Sequence, residues 1–496
     1  MNNLQSLSYY LPELILTTVI ISGIIYDLFI AKEESYKVGF VLLVGLLVVA
    51  IAIFFQNNEV TSLFTSSVVH DPFSRFFKLI IILTTIFVSV VSLKSGELKS
   101  YRKGEYFTLL GIIVFGLFLM VSAIDLIILY MSIEIVSIMS FVLAGYLKNS
   151  TRSNEAALKY VVYGGFSSGI MLFGLSYIFG LTGTTNYFKI YDALSVMPAE
   201  SNTAIIISII MVLAGFGYKI SAVPFHFWTP DVYEGSPTTI TAFLSVAPKA
   251  GAFAMMIRFF NQALADGGAM NGLDYTSTTE IPWAAILSIL AIITMTLGNI
   301  VAIQQDSIKR MLAYSSIAHA GYMLLAMPAM SGDSIYAIMI YLVMYLFMNL
   351  GAFFIVILVK NKTGGESFDD YKGLGWEMPI VGAFMTLFMV SLTGLPPTAG
   401  FVGKFYIFAS LIKEGDAFYY LVFIGGINSV VSLYYYLRVV RVMYFSGVRQ
   451  DVITKPGTIM GTMLFLTALP TLILGIYWVP LTTWVENSLK FFIQIL

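Results

Sequence analysis

The 496-residue chain is 58% hydrophobic and 11% charged, far from the roughly 45–50% apolar and 25% charged of a soluble domain. Its net charge of −1 offers no basic surface to nucleic acid, and its zero cysteines exclude iron–sulfur ligation, thiolate zinc sites and disulfides within the chain. A soluble α/β enzyme and a disordered tail are excluded with them, so the chain is built for a membrane and any redox chemistry belongs to another subunit.

Apolar stretches between polar breaks predict about fourteen helices of the roughly 20 residues that cross a bilayer. They fall at 9–31, 38–55, 76–93, 106–123, 125–147, 157–182, 203–228, 238–262, 282–303, 311–329, 335–359, 378–413, 418–444 and 457–482. Strand alternation is absent, so the expected fold is an all-α polytopic membrane bundle and not a β-barrel. The N-terminus lacks the basic flank and small-residue cleavage site of a signal peptide, and the first stretch reads as a retained span.

Lys and Arg concentrate in cytoplasmic loops. With the N-terminus outside, eighteen of the 27 basic residues fall on inward loops and their flanks: Lys32, Lys37, Lys94, Lys99, Arg102, Lys103, Lys148, Arg152, Lys159, Lys309, Arg310, Lys360, Lys362, Lys372, Arg438, Arg441, Arg449 and Lys455. Only Arg75, Lys78, Lys189, Arg258, Lys413 and Lys490 fall outward. The bias turns the odd-numbered connections inward and leaves both termini outside.

Lys219, Lys249 and Lys404 belong to no loop. A Lys at a helix centre costs about 2.5–3.5 kcal/mol on the insertion scale, so each position needs compensation. Glu134, in Ser132-Ile133-Glu134-Ile135, is the one clearly mid-span acid and can supply part of it. Desolvation favours a neutral amine and a nearby carboxylate restores the charged one, so such a lysine can load and release a proton, which guanidinium cannot do. The competing reading is a buried ion pair that only holds helices together. Among the histidines, His319 lies near mid-span with an imidazole suited to proton passage, or else only to helix packing. His226, after Pro224, reads equally well as interfacial, and His70 reads as a surface residue of an outward loop.

Pro224 follows Lys219, and Gly394-Leu395-Pro396-Pro397-Thr398-Ala399-Gly400 precedes Lys404. Proline removes a backbone donor and clashes with the preceding turn, so spans seven and twelve should be broken there, unless the second run is an ordinary kink. A broken helix is tolerated in a bilayer only where its freed backbone is buried in protein or faces water. The breaks lie five spans apart, an odd number, so spans 4–8 and 9–13 would form two inverted five-helix repeats. The expected divisions are 1–105 for three N-terminal spans, 106–262 and 263–444 for the repeats, and 445–496 for the C-terminal span. Soluble motifs are lacking: Gly215-Phe216-Gly217 and Gly373-Leu374-Gly375 have no third glycine, and Gly403-Lys404 has no upstream phosphate-loop glycine.

Several stretches carry a family resemblance. They are the Glu134 segment; Gly217-Tyr218-Lys219 leading into Val223-Pro224-Phe225-His226-Phe227-Trp228-Thr229-Pro230-Asp231; Pro248-Lys249; Lys309-Arg310-Met311-Leu312-Ala313-Tyr314-Ser315-Ser316-Ile317-Ala318-His319; and Leu395-Pro396-Pro397-Thr398-Ala399-Gly400-Phe401-Val402-Gly403-Lys404. Over nearly its whole length the chain resembles the antiporter-like membrane subunits of bacterial respiratory complex I, their subunit N branch above all. The resemblance implies a proton-translocating subunit of an NADH:quinone oxidoreductase in the bacterial inner membrane, with periplasmic termini. It implies Glu134 as acidic partner, Lys219 and Lys404 as the lysines of the broken helices, and Lys249 and His319 as stations between them. FMN, iron–sulfur clusters and quinone would sit in partner subunits, with none in this chain. Its partners would be the other membrane subunits, lipid and protons, and not nucleic acid. A multisubunit cation/proton antiporter or energy-converting hydrogenase subunit is the alternative.

Overall fold

The computed structural model describes residues 3–264, 283–447 and 456–490. Arg449 and Lys455 of the inward basic set lie outside the described residues. The helices run α1 Asn3–Tyr9, α2 Leu11–Phe29, α3 Lys37–Phe54, α4 Pro72–Leu93, α5 Lys103–Ser122, α6 Leu126–Ala144, α7 Thr151–Thr182, α8 Tyr187–Ser195, α9 Asn202–Ile220 and α10 Trp228–Gly235. They continue as α11 Thr238–Ala263, α12 Trp283–Ile303, α13 Ile308–Leu324, α14 Gly332–Thr363, α15 Leu374–Glu377, α16 Pro379–Thr393, α17 Ala399–Lys413, α18 Tyr419–Phe445, α19 Thr458–Ile476 and α20 Val479–Leu489.

Every one of the expected apolar stretches carries helix, and among the described residues twelve helices are long and apolar enough to cross a membrane. The tenth and twelfth fall short: α13 has 17 residues, and the twelfth is divided into α16 and α17 of 15 residues each. Polar residues at the boundaries set where helices begin. Asp71 accepts from the Ser74 amide at 2.7 Å to start α4, and Asp125 accepts from the Ile127 amide at 2.8 Å to start α6. Both satisfy amides that the first turn leaves without a partner.

A short element falls outside the helical reading without changing the fold class. Between α3 and α4 lies an antiparallel hairpin of β1 Thr61–Leu63 and β2 Val68–His70, in register Thr61 to His70. Strands of three residues are too short to leave a readable alternation. The hairpin also corrects the placing of His70, which is buried against Tyr9 with Nε2 at 3.2 Å from the Asn57 carbonyl oxygen.

Burial sorts the helices into centre and rim. Every residue of α11 is buried, as is nearly all of the apolar stretch of α14, the pattern of a helix surrounded on all sides by protein. The rim helices α2, α3, α7, α18 and α19 instead leave large apolar side chains uncovered, among them Phe29, Phe54, Phe166 and Val430. Water would not tolerate so broad an exposed apolar belt, and hydrocarbon does.

Candidate functional site: a buried line of amines and hydroxyls

At the first break α9 stops because Ser221 turns left-handed, at φ +65°. The freed groups find partners inside the protein. The Tyr218 carbonyl accepts from Trp228 Nε1 at 3.0 Å, the Val223 amide donates to Thr294 Oγ1 of α12 at 3.0 Å, and Thr229 Oγ1 donates to Ser221 Oγ at 2.8 Å. Lys219 occupies the last turn of α9, buried, with Nζ donating to Ser137 Oγ of α6 at 2.5 Å. Ser137 follows Glu134 by three residues and so shares its helix face.

Glu134 accepts from the Ser168 hydroxyl of α7. Among the described residues it makes no ion pair with Lys219, and each group closes on a hydroxyl instead. The expected acid and amine are therefore neighbours along one face of α6 and not a direct pair.

Lys249 lies in the fully buried α11, one residue after Pro248, and its Nζ donates to both the carbonyl oxygen, at 2.6 Å, and the hydroxyl of Ser316 in α13. Three residues on, His319 is held on both nitrogens: Nδ1 lies 2.7 Å from the Tyr341 hydroxyl of α14 and Nε2 3.0 Å from the Tyr436 hydroxyl of α18. Tyr436 in turn lies 2.5 Å from Ser315 Oγ. Ser315, Ser316 and His319 thus make α13 the element that joins Lys249 to the second half of the chain.

The second break lies between α16 and α17, where Gly394 adopts φ +89°, a conformation costly for any side-chain-bearing residue. Lys404 caps the broken end: its Nζ donates to the Thr393 carbonyl oxygen at 2.7 Å and to Ser429 Oγ at 2.9 Å, and it lies 4.2 Å from the centre of the Tyr322 ring. A cation at helix-terminal carbonyls is where the helix dipole favours positive charge. Beside it opens a mostly apolar cavity of about 220 Å³ walled by Phe401, Phe405 and Phe408. Tyr322 is three residues past His319 on α13, so Lys249, His319 and Lys404 all meet one helix face. The lysines stand on opposite sides of their breaks along the chain, Lys219 before and Lys404 after.

The sequence reading missed the hydroxyls that carry these contacts: Ser137, Ser168, Ser316, Tyr341, Tyr436 and Ser429. A usable signal was their spacing, since Ser137 follows Glu134, and His319 follows Ser316, by one helical turn. It also undercounted buried charge. Lys78, expected on an outward flank, pairs with Glu13 at 2.6 Å with both side chains buried, and Arg258, expected on another, pairs with Asp71 at 2.8 Å with both side chains fully buried. Glu13 in the first turn of α2 and Asp71 at the N-cap of α4 thus bring buried acids to helix ends, while Glu134 stands mid-helix.

On the side where α13 begins, a second charged cluster surrounds the foot of α10. Arg310 donates to Asp231 at 2.7 Å and Glu234 at 2.6 Å, and Lys159 to Asp231 at 2.6 Å. Lys309, counted as a loop residue, is fully buried and donates to the Ser236 carbonyl at 2.8 Å and to Glu366 at 3.3 Å. Lys360 bridges Glu366 and, at 2.7 Å, Glu97. Burial pushes the Glu97 carboxyl up, but Lys309 and Lys360 outweigh it and hold it below the usual carboxylate range.

A family described as "NADH:quinone oxidoreductase/Mrp antiporter, TM" matches residues 123–432, from the start of α6 into α18. A protein of Chloroherpeton thalassium named NADH-quinone oxidoreductase subunit N 2 is 42% identical over 489 residues, covering 97% of this chain and 94% of that one. A chain of respiratory complex I from Thermus thermophilus superposes with a TM-score of 0.78 at 25% identity, over 95% of this chain and 98% of that one. A chain of the Mrp complex from a Dietzia species shares the fold, with a TM-score of 0.80 at 21% identity over 96% of this chain and 51% of that one.

Proposed function

The chain belongs to the NADH-quinone oxidoreductase subunit N family, and from that membership we propose that it moves protons across a bacterial inner membrane while partner subunits pass electrons from NADH to quinone. The observation that carries the reading is the seating of Lys219, Lys249 and Lys404: each buried amine rests on hydroxyls or carbonyls, with no carboxylate at ion-pair distance among the described residues. A structural ion pair would place an acid against each of them.

In the proposed sequence, a shift of Glu134 relative to Lys219 changes the charge that Lys249 feels. Lys249 takes a proton from the inward side, Ser316 and the His319 group with Tyr341 and Tyr436 relay it, and Lys404 releases it outward past the end of α16. The two inverted units, 106–262 and 263–444, each contribute one broken helix to this line, flanked by 1–105 and 445–496. Flavin, iron–sulfur clusters and the quinone site lie in partner subunits, and the neighbours of this chain are other membrane subunits of the complex. The inward basic bias supports periplasmic termini.

In the assembled complex reconstituted into vesicles, Lys219→Ala or Glu134→Ala abolishes most proton pumping, and normal pumping in both variants would defeat the scheme. The family description also names Mrp antiporters, which exchange cations without redox partners; co-purification with flavin and iron–sulfur subunits decides against that alternative.

A further inference from the structure

The α2–α3 and α4–α5 connections meet at one end of the N-terminal helices around a cavity of about 550 Å³. Lys32, Lys94, Lys99 and Lys103 line it, against a single carboxylate, Glu33. The frame is built and not incidental. Buried Ser35 donates to the Lys32 carbonyl at 2.7 Å and accepts from the Lys103 amide at 2.9 Å, stitching the two connections together, while Lys103 Nζ donates to the Leu93 carbonyl at 2.9 Å.

Several basic groups on this side of the molecule are neutralised, as Lys37 is by Glu34, Arg102 by Asp27, Lys159 and Arg310 by Asp231, and Lys360 by Glu97. Among the described residues, Lys32, Lys94 and Lys99 form no ion pair. Several like charges held around one cavity repel, and a multivalent oxyanion between them would relieve that repulsion.

What surrounds the cavity selects the kind of anion. Leu28 and Phe29, at the end of α2 just before Lys32, are 75% and 84% exposed, Phe40 of α3, packed edge-on to Tyr36, is exposed as well, and Tyr36 and Tyr101 line the cavity. Basic and aromatic residues lining a cavity, flanked along α2 and α3 by exposed apolar side chains, suit a headgroup with its acyl chains.

We propose that this cavity seats the phosphate of an anionic phospholipid, with the acyl chains lying along α2 and α3. The site is separate from the amine line and does not depend on it.

The test uses the full-length chain in neutral detergent, titrated with phosphatidylglycerol, phosphatidylcholine or inorganic phosphate and followed by native mass spectrometry. Phosphatidylglycerol is retained in preference to phosphatidylcholine. Lys32→Gln/Lys94→Gln/Lys99→Gln weakens its binding by about tenfold or more, and the corresponding triple Arg variant, which keeps the charge, binds as the wild type does. Equal binding of the two lipids, or unchanged phosphatidylglycerol binding in the Gln variant, overturns the proposal. Displacement of the lipid by millimolar inorganic phosphate overturns the lipid assignment in favour of a soluble anion. Cross-linking of Lys99 to an acidic segment of a partner subunit in the intact complex, with lipid absent, overturns it in favour of a protein contact. A failed Glu134 or Lys219 experiment would leave all of these outcomes untouched.

Discussion

Among the described residues Lys249 makes no ion pair, and its two hydrogen bonds both go to one residue, Ser316. A hydrogen bond to a charged group contributes about 1.5–3 kcal/mol. Removing the hydroxyl while leaving the carbonyl should therefore raise the barrier for charging this amine without emptying the helix interface. Ser316→Ala is expected to slow proton pumping about tenfold or more, on the scale where 1.4 kcal/mol is a factor of ten, while the complex assembles at wild-type yield. Vesicle acidification per assembled complex measures it, and an unchanged rate would show that the Ser316 hydroxyl lies off the proton route. The lysine itself was legible in the sequence because an amine inside an apolar run costs energy and demands a reason. The serine was not, because a lone hydroxyl in a membrane helix commonly bonds its own preceding turn, as Ser245 does to the Ala242 carbonyl.

At the scale of elements, the broken helices were readable because proline leaves its mark on the chain wherever it stands, and both breaks fall where Pro224 and Pro396–Pro397 predicted them. The packing that holds the broken ends was not readable, since it depends on which distant helix arrives there. Gly400 is an instance. It is the second residue of α17, with its amide donating to Ser391 Oγ at 3.0 Å, and a Cβ placed on it would run into the Ser391 backbone carbonyl. Backbone cannot step aside as a side-chain tip can, so Gly400→Ala must push α17 away from α16 and carry Lys404 off the Thr393 carbonyl. The expected result is a complex that still contains this subunit but loses most of its pumping, together with a lowered thermal midpoint. Wild-type values for both would mean that the two half-helices are not held at this separation. Short elements escaped the sequence reading for a related reason: β1, β2 and α10 have three, three and eight residues, too few to establish a period.

For the whole molecule, the three N-terminal spans stand outside the matched region 123–432 yet are tied to the rest by buried charge, since Asp71 at the hairpin end grips Arg258 of α11 with two bonds of 2.8 and 3.0 Å, while Glu13 of α2 pairs with Lys78 of α4 within those three spans. Two roles are open to the Glu13–Lys78 pair, a strut or a further proton station, and the thermodynamics of buried pairs separates them. Removing one partner strands the other charge and costs about 3–5 kcal/mol, whereas removing both leaves little net change. Lys78→Met alone is therefore expected to lower the thermal stability and yield of the assembled complex sharply, and Glu13→Gln/Lys78→Met to recover most of the loss. If the pair is a strut, the double variant pumps at the wild-type rate per assembled complex. The proposed route by way of Lys219, Lys249, His319 and Lys404 predicts that outcome, because none of the hydrogen bonds of these residues reaches Glu13 or Lys78. A double variant that is stable but silent would place these two residues on a proton route through the N-terminal helices and leave the line along α13 as only part of the path.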